Sequence, residues 1–576
     1  MRKSIAIISV FILSGATGAL SQSPSEEFNS FRNRILSDYS NFKSRILEHY
    51  GDFLNGEWHE FEPLWEEESP YTEPKPKGVP EIPAEPEPSP ASTKLPDPKF
   101  SVSSPGGVLA AVPGGGLAKS SLSDSGMSSM KIDVPSQLGG GQMPETMAAS
   151  PNASALLMSE LKGKSDYELA VMRLPDPGFA FGSFPGQIAA PEPGESGIVN
   201  IDLPEREIEP ENHDYFLFDY YGMEAFLPEI DFSISKTLSG PEQAGEHWQK
   251  MAAQEGGMET ARQLFGLARQ LGLNGYLTFR LAESYVNQKY KDSDANARMS
   301  AVHFLLSNMG YDARLIKLDN IFTVMMPFDQ KVVYATMSQT IDGRKYTILY
   351  PEGYQPPRGQ ALKIMTCSLP ASALGKTSDL RLTGLDLPMK SKTFNITNGQ
   401  LSLKGEVNEN FGKLLHHYPQ MPTGDFASSW VDQKLREDIV EQVKTQLGGL
   451  SEKEAVNRLM SLCHKGFNYS TDQDYHGFEK PYFFEENFIY DKNDCEDRAI
   501  FFSYLLWNAL NLPCQLVQYP GHESATVAVN DDIEGYFYNT DDTKYYSADP
   551  TYIGSTVGMV MKAFRTASPT VDKQYK

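Results

Sequence analysis

Three residues near the C-terminal end of the chain have the types and the order that nucleophilic catalysis needs. Cys495 lies in Asn493-Asp494-Cys495-Glu496-Asp497-Arg498-Ala499. The stretch after it, Ile500 to Leu510, is apolar on one face, with Phe502, Leu505, Leu506, Ala509 and Leu510 about a helical turn apart. Asn493 or Asp494 suits an N-cap and the acids suit a first turn, so the pattern predicts a helix that begins at the cysteine. Unpaired backbone N–H groups and the helix dipole favour a thiolate at that place. His522 follows in Gly521-His522-Glu523-Ser524-Ala525-Thr526-Val527, which alternates like a strand. Asp549 lies in Tyr545-Tyr546-Ser547-Ala548-Asp549-Pro550, also strand-like and stopped by proline. In a Cys–His–Asp triad the histidine takes the thiol proton, and the carboxylate fixes the tautomer and stabilises the imidazolium.

Taken together, Asp494-Cys495-Glu496-Asp497-Arg498-Ala499, Gly521-His522 with Ala525-Thr526, and Asp549-Pro550-Thr551-Tyr552 resemble the transglutaminase-like superfamily. The chain is most similar to the bacterial transglutaminase-like cysteine proteases and related exported proteins, over about residues 425 to 565. The resemblance implies an α+β fold with a papain/transglutaminase-like core: a helix bearing the cysteine, packed on an antiparallel sheet bearing the histidine and the aspartate. It also implies acyl transfer through a thioester, with Cys495 as nucleophile, His522 as base and acid, and Asp549 as the orienting residue. Water as acceptor would make the chain a cysteine peptidase or amidase acting on a protein or peptide. An amine would make it a cross-linking transglutaminase, but nothing marks an amine site. A non-catalytic envelope scaffold or binding protein carrying a relic triad is the competing reading.

An oxyanion hole would use the Cys495 backbone N–H and one further donor, for which Tyr490 and Asn493 are candidates. Asp497 is a candidate for support of the site, although two residues past Cys495 on a helix it should point away from the thiol. No cofactor and no metal are expected. The acids of the loop Asp472 to Pro481 leave calcium as an alternative, as in some transglutaminase-like proteases, but their spacing is not that of an EF-hand. That loop also suits the wall of a substrate cleft. His416-His417 has no metal-ligand spacing beside it and reads as polar surface. His464 is set aside because it adjoins Cys463 and shares no helix face with it.

The elements that must position the triad occur a second time, about 200 residues earlier. Tyr290 to Arg298 lines up with Tyr490 to Arg498, Phe304-Leu305-Leu306-Ser307-Asn308 with Tyr504-Leu505-Leu506-Trp507-Asn508, and Lys345 to Pro351 with Lys544 to Pro550. In this copy Ala295 replaces Cys495, Tyr350 replaces Asp549, and the strand Asn320 to Val324 offers no histidine. Asp294 and Arg298 persist, which assigns Asp494 and Arg498 to the scaffold, through a cap and an ion pair. The reading is an internal duplication whose first copy has lost its chemistry.

The chain divides accordingly. Residues 1–21 read as an export signal: Arg2 and Lys3, an apolar run from Ile5 to Leu13, then small residues. The expectation is an exported protein, periplasmic or secreted, with no transmembrane segment after signal removal. Residues 22–62 carry an 11-residue repeat, with Phe31, Ile35, Tyr39, Phe42, Ile46, Tyr50 and Phe53 on one helical stripe that would serve docking, self-association or a partner. Residues 63–204, rich in Pro, Gly and Ser, read as a long disordered linker. The degenerate domain spans 205–355, a β-rich connector 356–424, and the catalytic domain 425–576. A net charge of −24 argues against nucleic acid. Four cysteines make no disulfide framework, and a Cys463–Cys514 bridge is left open.

Overall fold

The computed structural model describes residues 51–61, 92–100, 215–354, 356, 362–367 and 375–576. The expected export signal, nearly all of the repeat helix and most of the linker lie outside these residues. The fold is α+β, with curled antiparallel and mixed sheets.

Three short strands come from the N-terminal stretch: β1 (Trp58–Glu60), β2 (Thr93–Lys94) and β3 (Lys99–Phe100). The first unit opens with the hairpin β4 (Tyr215–Tyr220) and β5 (Met223–Pro228). Its turn residues Tyr221 and Gly222 both have positive φ, the conformation that matches the twist of a two-residue hairpin. Four helices follow: α1 (Ala244–Ala252), α2 (Glu255–Gln270), α3 (Gly275–Lys289) and α4 (Ala295–Asn308). Asp294 caps α4, its side chain accepting the Ala297 N–H at 2.7 Å. Then come β6 (Arg314–Leu318), β7 (Ile321–Met326), β8 (Ser338–Ile341), β9 (Arg344–Leu349) and β10 (Ile364–Cys367).

The second unit begins with the hairpin β11 (Ser391–Thr397) and β12 (Ser402–Asn408) and the short helices α5 (Asn410–Leu415) and α6 (Thr423–Phe426). Two longer helices, α7 (Gln433–Leu447) and α8 (Glu452–Gly466), precede β13 (Asn468–Tyr469), α9 (Asp472–Tyr475) and β14 (Lys492–Asn493). The unit ends with α10 (Cys495–Asn508), β15 (Cys514–Tyr519), β16 (His522–Val527), β17 (Tyr536–Thr540), β18 (Thr543–Ser547) and β19 (Thr570–Tyr575).

The sheets run β1-β10-β6-β7-β9-β8 and β2-β17-β18-β16-β15-β19-β3. Without the N-terminal strands the two orders are the same, and so are their registers. One hairpin closes on the pair Leu318–Ile321 and the other on Tyr519–His522. Met326 faces Thr347 as Val527 faces Tyr546. Ile321 therefore stands where His522 stands, and Tyr350 follows its strand as Asp549 follows β18. Ala295 opens α4 as Cys495 opens α10.

One continuous apolar core runs through both units, and α10 is buried on nearly every side rather than on one face: Ile500, Phe501, Phe502, Leu505 and Leu506 are all covered. The opposite face of each sheet builds a smaller cluster, around Ile316, Met325 and Tyr346 in the first and around Val517, Tyr519, Tyr538 and Val571 in the second. Part of the stretch read as linker belongs to the second cluster: Ser92 to Phe100 runs along the sheet edges, with Leu95 buried. All four cysteines are buried and none forms a disulfide, so the Cys463–Cys514 bridge is not made. Among the described residues no helix is long and apolar enough to cross a membrane.

Candidate active site

Cys495 is the first residue of α10 and only 3% exposed. Its thiol donates to Glu496 Oε2 at 3.0 Å. Asp497, three positions into the cap, reaches back over the helix start instead of pointing away. One oxygen accepts the Asp494 N–H at 3.2 Å and the other accepts the Tyr482 N–H at 2.8 Å. It ties the preceding loop to the turn that presents the cysteine. Arg498 hydrogen-bonds Asn493 Oδ1 at 2.8 Å and the Phe467 carbonyl at 3.3 Å, so it braces the helix start through neutral acceptors and not through the expected ion pair.

Helix α10 packs directly on β15 and β16. His522 opens β16, and its Nε2 lies 2.8 Å from Asp549 Oδ2. Asp549 lies two residues beyond β18, where the strand has given way to a turn. Its second oxygen accepts the N–H groups of Thr551 at 2.8 Å and Tyr552 at 3.2 Å. Burial alone would push this carboxyl up. The charge and hydrogen bond of His522, helped by the Thr551 N–H and His464, hold it below the ordinary carboxylate range. The structure thus joins His522 to Asp549, and with Nε2 so engaged, Nδ1 is the ring nitrogen left to take a proton.

Two residues that sequence reasoning passed over bear on this pair. His464 of α8, set aside because of its neighbour Cys463, places Nε2 3.2 Å from the Asp549 carbonyl oxygen. Phe564 lies flat on the His522 ring, with centroids 5.2 Å apart and planes 2° from parallel. Neither sits at a spacing that carries a signal, since each meets the site only through the folded sheet.

The oxyanion candidates are engaged elsewhere. Tyr490 donates its one hydroxyl proton to the Gly412 carbonyl at 3.0 Å. Asn493 donates to Asn487 Oδ1 at 3.1 Å and accepts from Arg498, so its amide braces the turn. His416 is half-buried in an aromatic nest with His476 and Phe478 and is not polar surface, while His417, stacked on Phe478, is exposed. Burial pushes His416 and His476 down to about 4, so both are neutral near pH 7. His476 shares a 2.6 Å hydrogen bond with the Tyr482 hydroxyl. A cavity of about 180 Å³ lies beside this nest, between Tyr276, Arg280 and Tyr350 of the first unit and His417 and Phe478 of the second. Its lining includes no member of the triad.

Around Cys495 the dominant chemistry is acidic. Oxygens of Asp472, Asp494 and Asp497 lie within 4.8 Å of one another, as do oxygens of Asp472, Glu479 and Glu496. Asp472, Glu496 and Asp497 are pushed well above the usual carboxylate range, first by burial and then by the charge of Asp494. The adjacent Lys480 is shared with Glu486 at 2.6 Å. Glu496 Oε1 is buried and has no hydrogen-bond partner among the described residues. A set of oxygens with an orphaned carboxylate atom fits a hard divalent cation such as calcium, held by Asp472, Glu479 and Glu496 or by the three aspartates. Such an ion would draw Glu496 off the thiol proton and favour the thiolate.

Comparison of the chain with protein-family models, with curated proteins and with solved structures gave no match. The resemblance to the transglutaminase-like superfamily rests on the motifs quoted above.

Proposed function

We propose that this chain is an exported thiol acyl-transfer enzyme with a papain/transglutaminase-like core, acting as a cysteine peptidase or amidase on protein or peptide substrates. The observation that carries the reading is the His522–Asp549 pair at 2.8 Å, on the strand that packs against the helix opened by Cys495. In the proposed reaction the Cys495 sulfur attacks the acyl carbon while its proton passes to His522 Nδ1. The C–N bond then breaks and His522 returns the proton to the leaving amine. Water, deprotonated by the same imidazole, then attacks the thioester carbon; the C–S bond breaks, the acid leaves and the imidazolium returns its proton to the Cys495 sulfur. Asp549 stays a carboxylate throughout and offsets the positive charge of the imidazolium.

The second reading, a scaffold with a relic triad, draws support from one observation. Cys495 is nearly covered and its S–H donates a hydrogen bond to Glu496. Iodoacetamide labelling of the full chain between pH 5 and 9 separates the two. Rapid labelling confined to Cys495 and lost in His522→Ala supports the enzyme. Labelling as slow as that of Cys463, and indifferent to His522, overturns it.

A further inference from the structure

Residues 92–100 fall in the stretch that composition assigns to a spacer, yet they touch both edges of the second sheet. Thr93 and Lys94 pair in parallel with Tyr536 and Phe537 of β17, while Lys99 and Phe100 pair in parallel with Thr570 and Val571 of β19. In a flat sheet β2 and β3 would be separated by about 29 Å, at ~4.8 Å per strand spacing. The chain from Lys94 to Lys99 spans at most about 17 Å. The sheet must therefore curl until its edges approach, and Leu95 to Pro98 bridge the gap.

The bridge is anchored in depth. The Leu95 N–H donates to the Phe537 carbonyl at 2.6 Å, and the Lys99 N–H donates to that of Pro569 at 2.8 Å. The Ser568 hydroxyl donates to the Asp97 carbonyl at 2.5 Å. The Leu95 side chain, 2% exposed, joins Val517, Tyr519, Tyr538, Tyr545, Val560 and Val571. Against this cluster lie Phe564 and Ala567, on the segment between β18 and β19. Phe564 stacks on Tyr519 at 4.7 Å and on His522 at 5.2 Å.

We infer that residues 92–100 are a clasp that closes the curled sheet and, through the segment carrying Phe564, fixes the ring plane of His522. Phe564 is thereby a positioning residue for the imidazole, and Leu95 positions it from a part of the chain distant in sequence. A phenyl ring parallel to the imidazole limits rotation of His522 about the bond that would swing Nδ1 away from the thiol, and it shields the His522–Asp549 bond from water. The consequence for the thiol rests on the acyl-transfer reading. The placement of the imidazole does not.

The test uses the full chain and reads the two separately. Histidine ring protons are followed by NMR, with His522 assigned by its loss in His522→Ala, and labelling of Cys495 is timed in the same samples. A parallel phenyl ring shifts the His522 protons upfield. Phe564→Leu and Leu95→Asp are both expected to move that signal downfield and to slow labelling about ten- to a hundredfold, while Phe564→Tyr restores both. Leu95→Ala serves as the milder variant should Leu95→Asp not fold, and circular dichroism reports folding in each case. A folded Leu95 variant with its His522 signal unmoved overturns the clasp. An unmoved signal in Phe564→Leu overturns the positioning role. Moved signals in a protein whose wild type labels slowly support the clasp and overturn the enzyme reading.

Discussion

At the scale of single residues, the site balances one carboxylate held low against several held high. The Asp549 carboxyl lies below its ordinary range because His522 and two backbone N–H groups favour the charged form. A carboxyl whose pKa is lower folded than unfolded adds stability that is complete above the unfolded value, about 3.9, and is lost as pH falls through the folded one. Asp549→Asn should therefore flatten the acid limb of urea-unfolding midpoints below about pH 4. It should also slow Cys495 labelling on the order of 10²–10⁴-fold, because an amide cannot stabilise the imidazolium. A variant with unchanged acid stability would show that the pair contributes nothing to folding. The high carboxyls predict a different response. With Glu496 Oε1 orphaned among Asp472 and Glu479, calcium at a hundredfold excess over its Kd should stabilise by about 2.7 kcal/mol, a rise in Tm of roughly 2–4 °C. Glu496→Gln should abolish the rise while raising the Tm of the metal-free protein, since it removes a buried acid from the cluster. A melting temperature indifferent to calcium would mean that the cluster carries its excess protons instead of an ion.

At the scale of elements, α4 and α10 start alike and are braced differently. Asp294 caps its helix through Ala297 and also accepts the Leu238 N–H at 3.0 Å, but both bonds are only partly buried, so water can replace them and losing such a cap costs about 1 kcal/mol. Asp497 accepts from Asp494 and from Tyr482, so Asp497→Ala leaves two buried N–H groups without acceptors, at about 1–3 kcal/mol each. Denaturant midpoints should fall clearly further for Asp497→Ala than for Asp294→Ala. Equal losses would show that the loop before Cys495 is held by something else. This brace also marks how far the sequence could be read. The helix start, the strands that carry His522 and lead to Asp549, and their repetition were legible because residue periodicity and strand stops are local and occur twice. The backward reach of Asp497 was not, because spacing along an ideal helix says nothing of a cap that bonds the residues before it. Strands of two residues, such as β2 and β3, carry no period at all, so a Pro-rich composition hid the clasp. Asp472, Glu479 and Glu496 meet only across a loop and a helix end, and His464 meets Asp549 only across the sheet. Such contacts exist in the fold alone.

At the scale of the whole molecule, the unit that opens its helix with Ala295 is built into the one that opens it with Cys495. Tyr276 donates to the His417 carbonyl at 3.0 Å, Asn274 to the Tyr418 hydroxyl at 2.5 Å, and Tyr418 in turn stacks edge-on against Phe483 at 5.1 Å. Gly272, at φ 68°, closes α2 against the segment that leads to β11, and a Cβ there would come within 1.9 Å of the Gly384 carbonyl oxygen. With one apolar core running through both units, neither has a boundary across which few contacts pass, which is what independent folding would need. The retained scaffold with Ala295, Ile321 and Tyr350 in the chemical positions is then a packing partner kept for its faces. Calorimetry of the full chain should give a single transition. Gly272→Ala combines a strained φ with a backbone collision and should lower that transition as a whole by well over about 1 kcal/mol. The fall should read the same by near-ultraviolet circular dichroism and by the exposure of Cys463, although that thiol lies in the other unit. Two transitions, with only the first moved by the substitution, would make the units separable and return the first copy to the status of an independent domain.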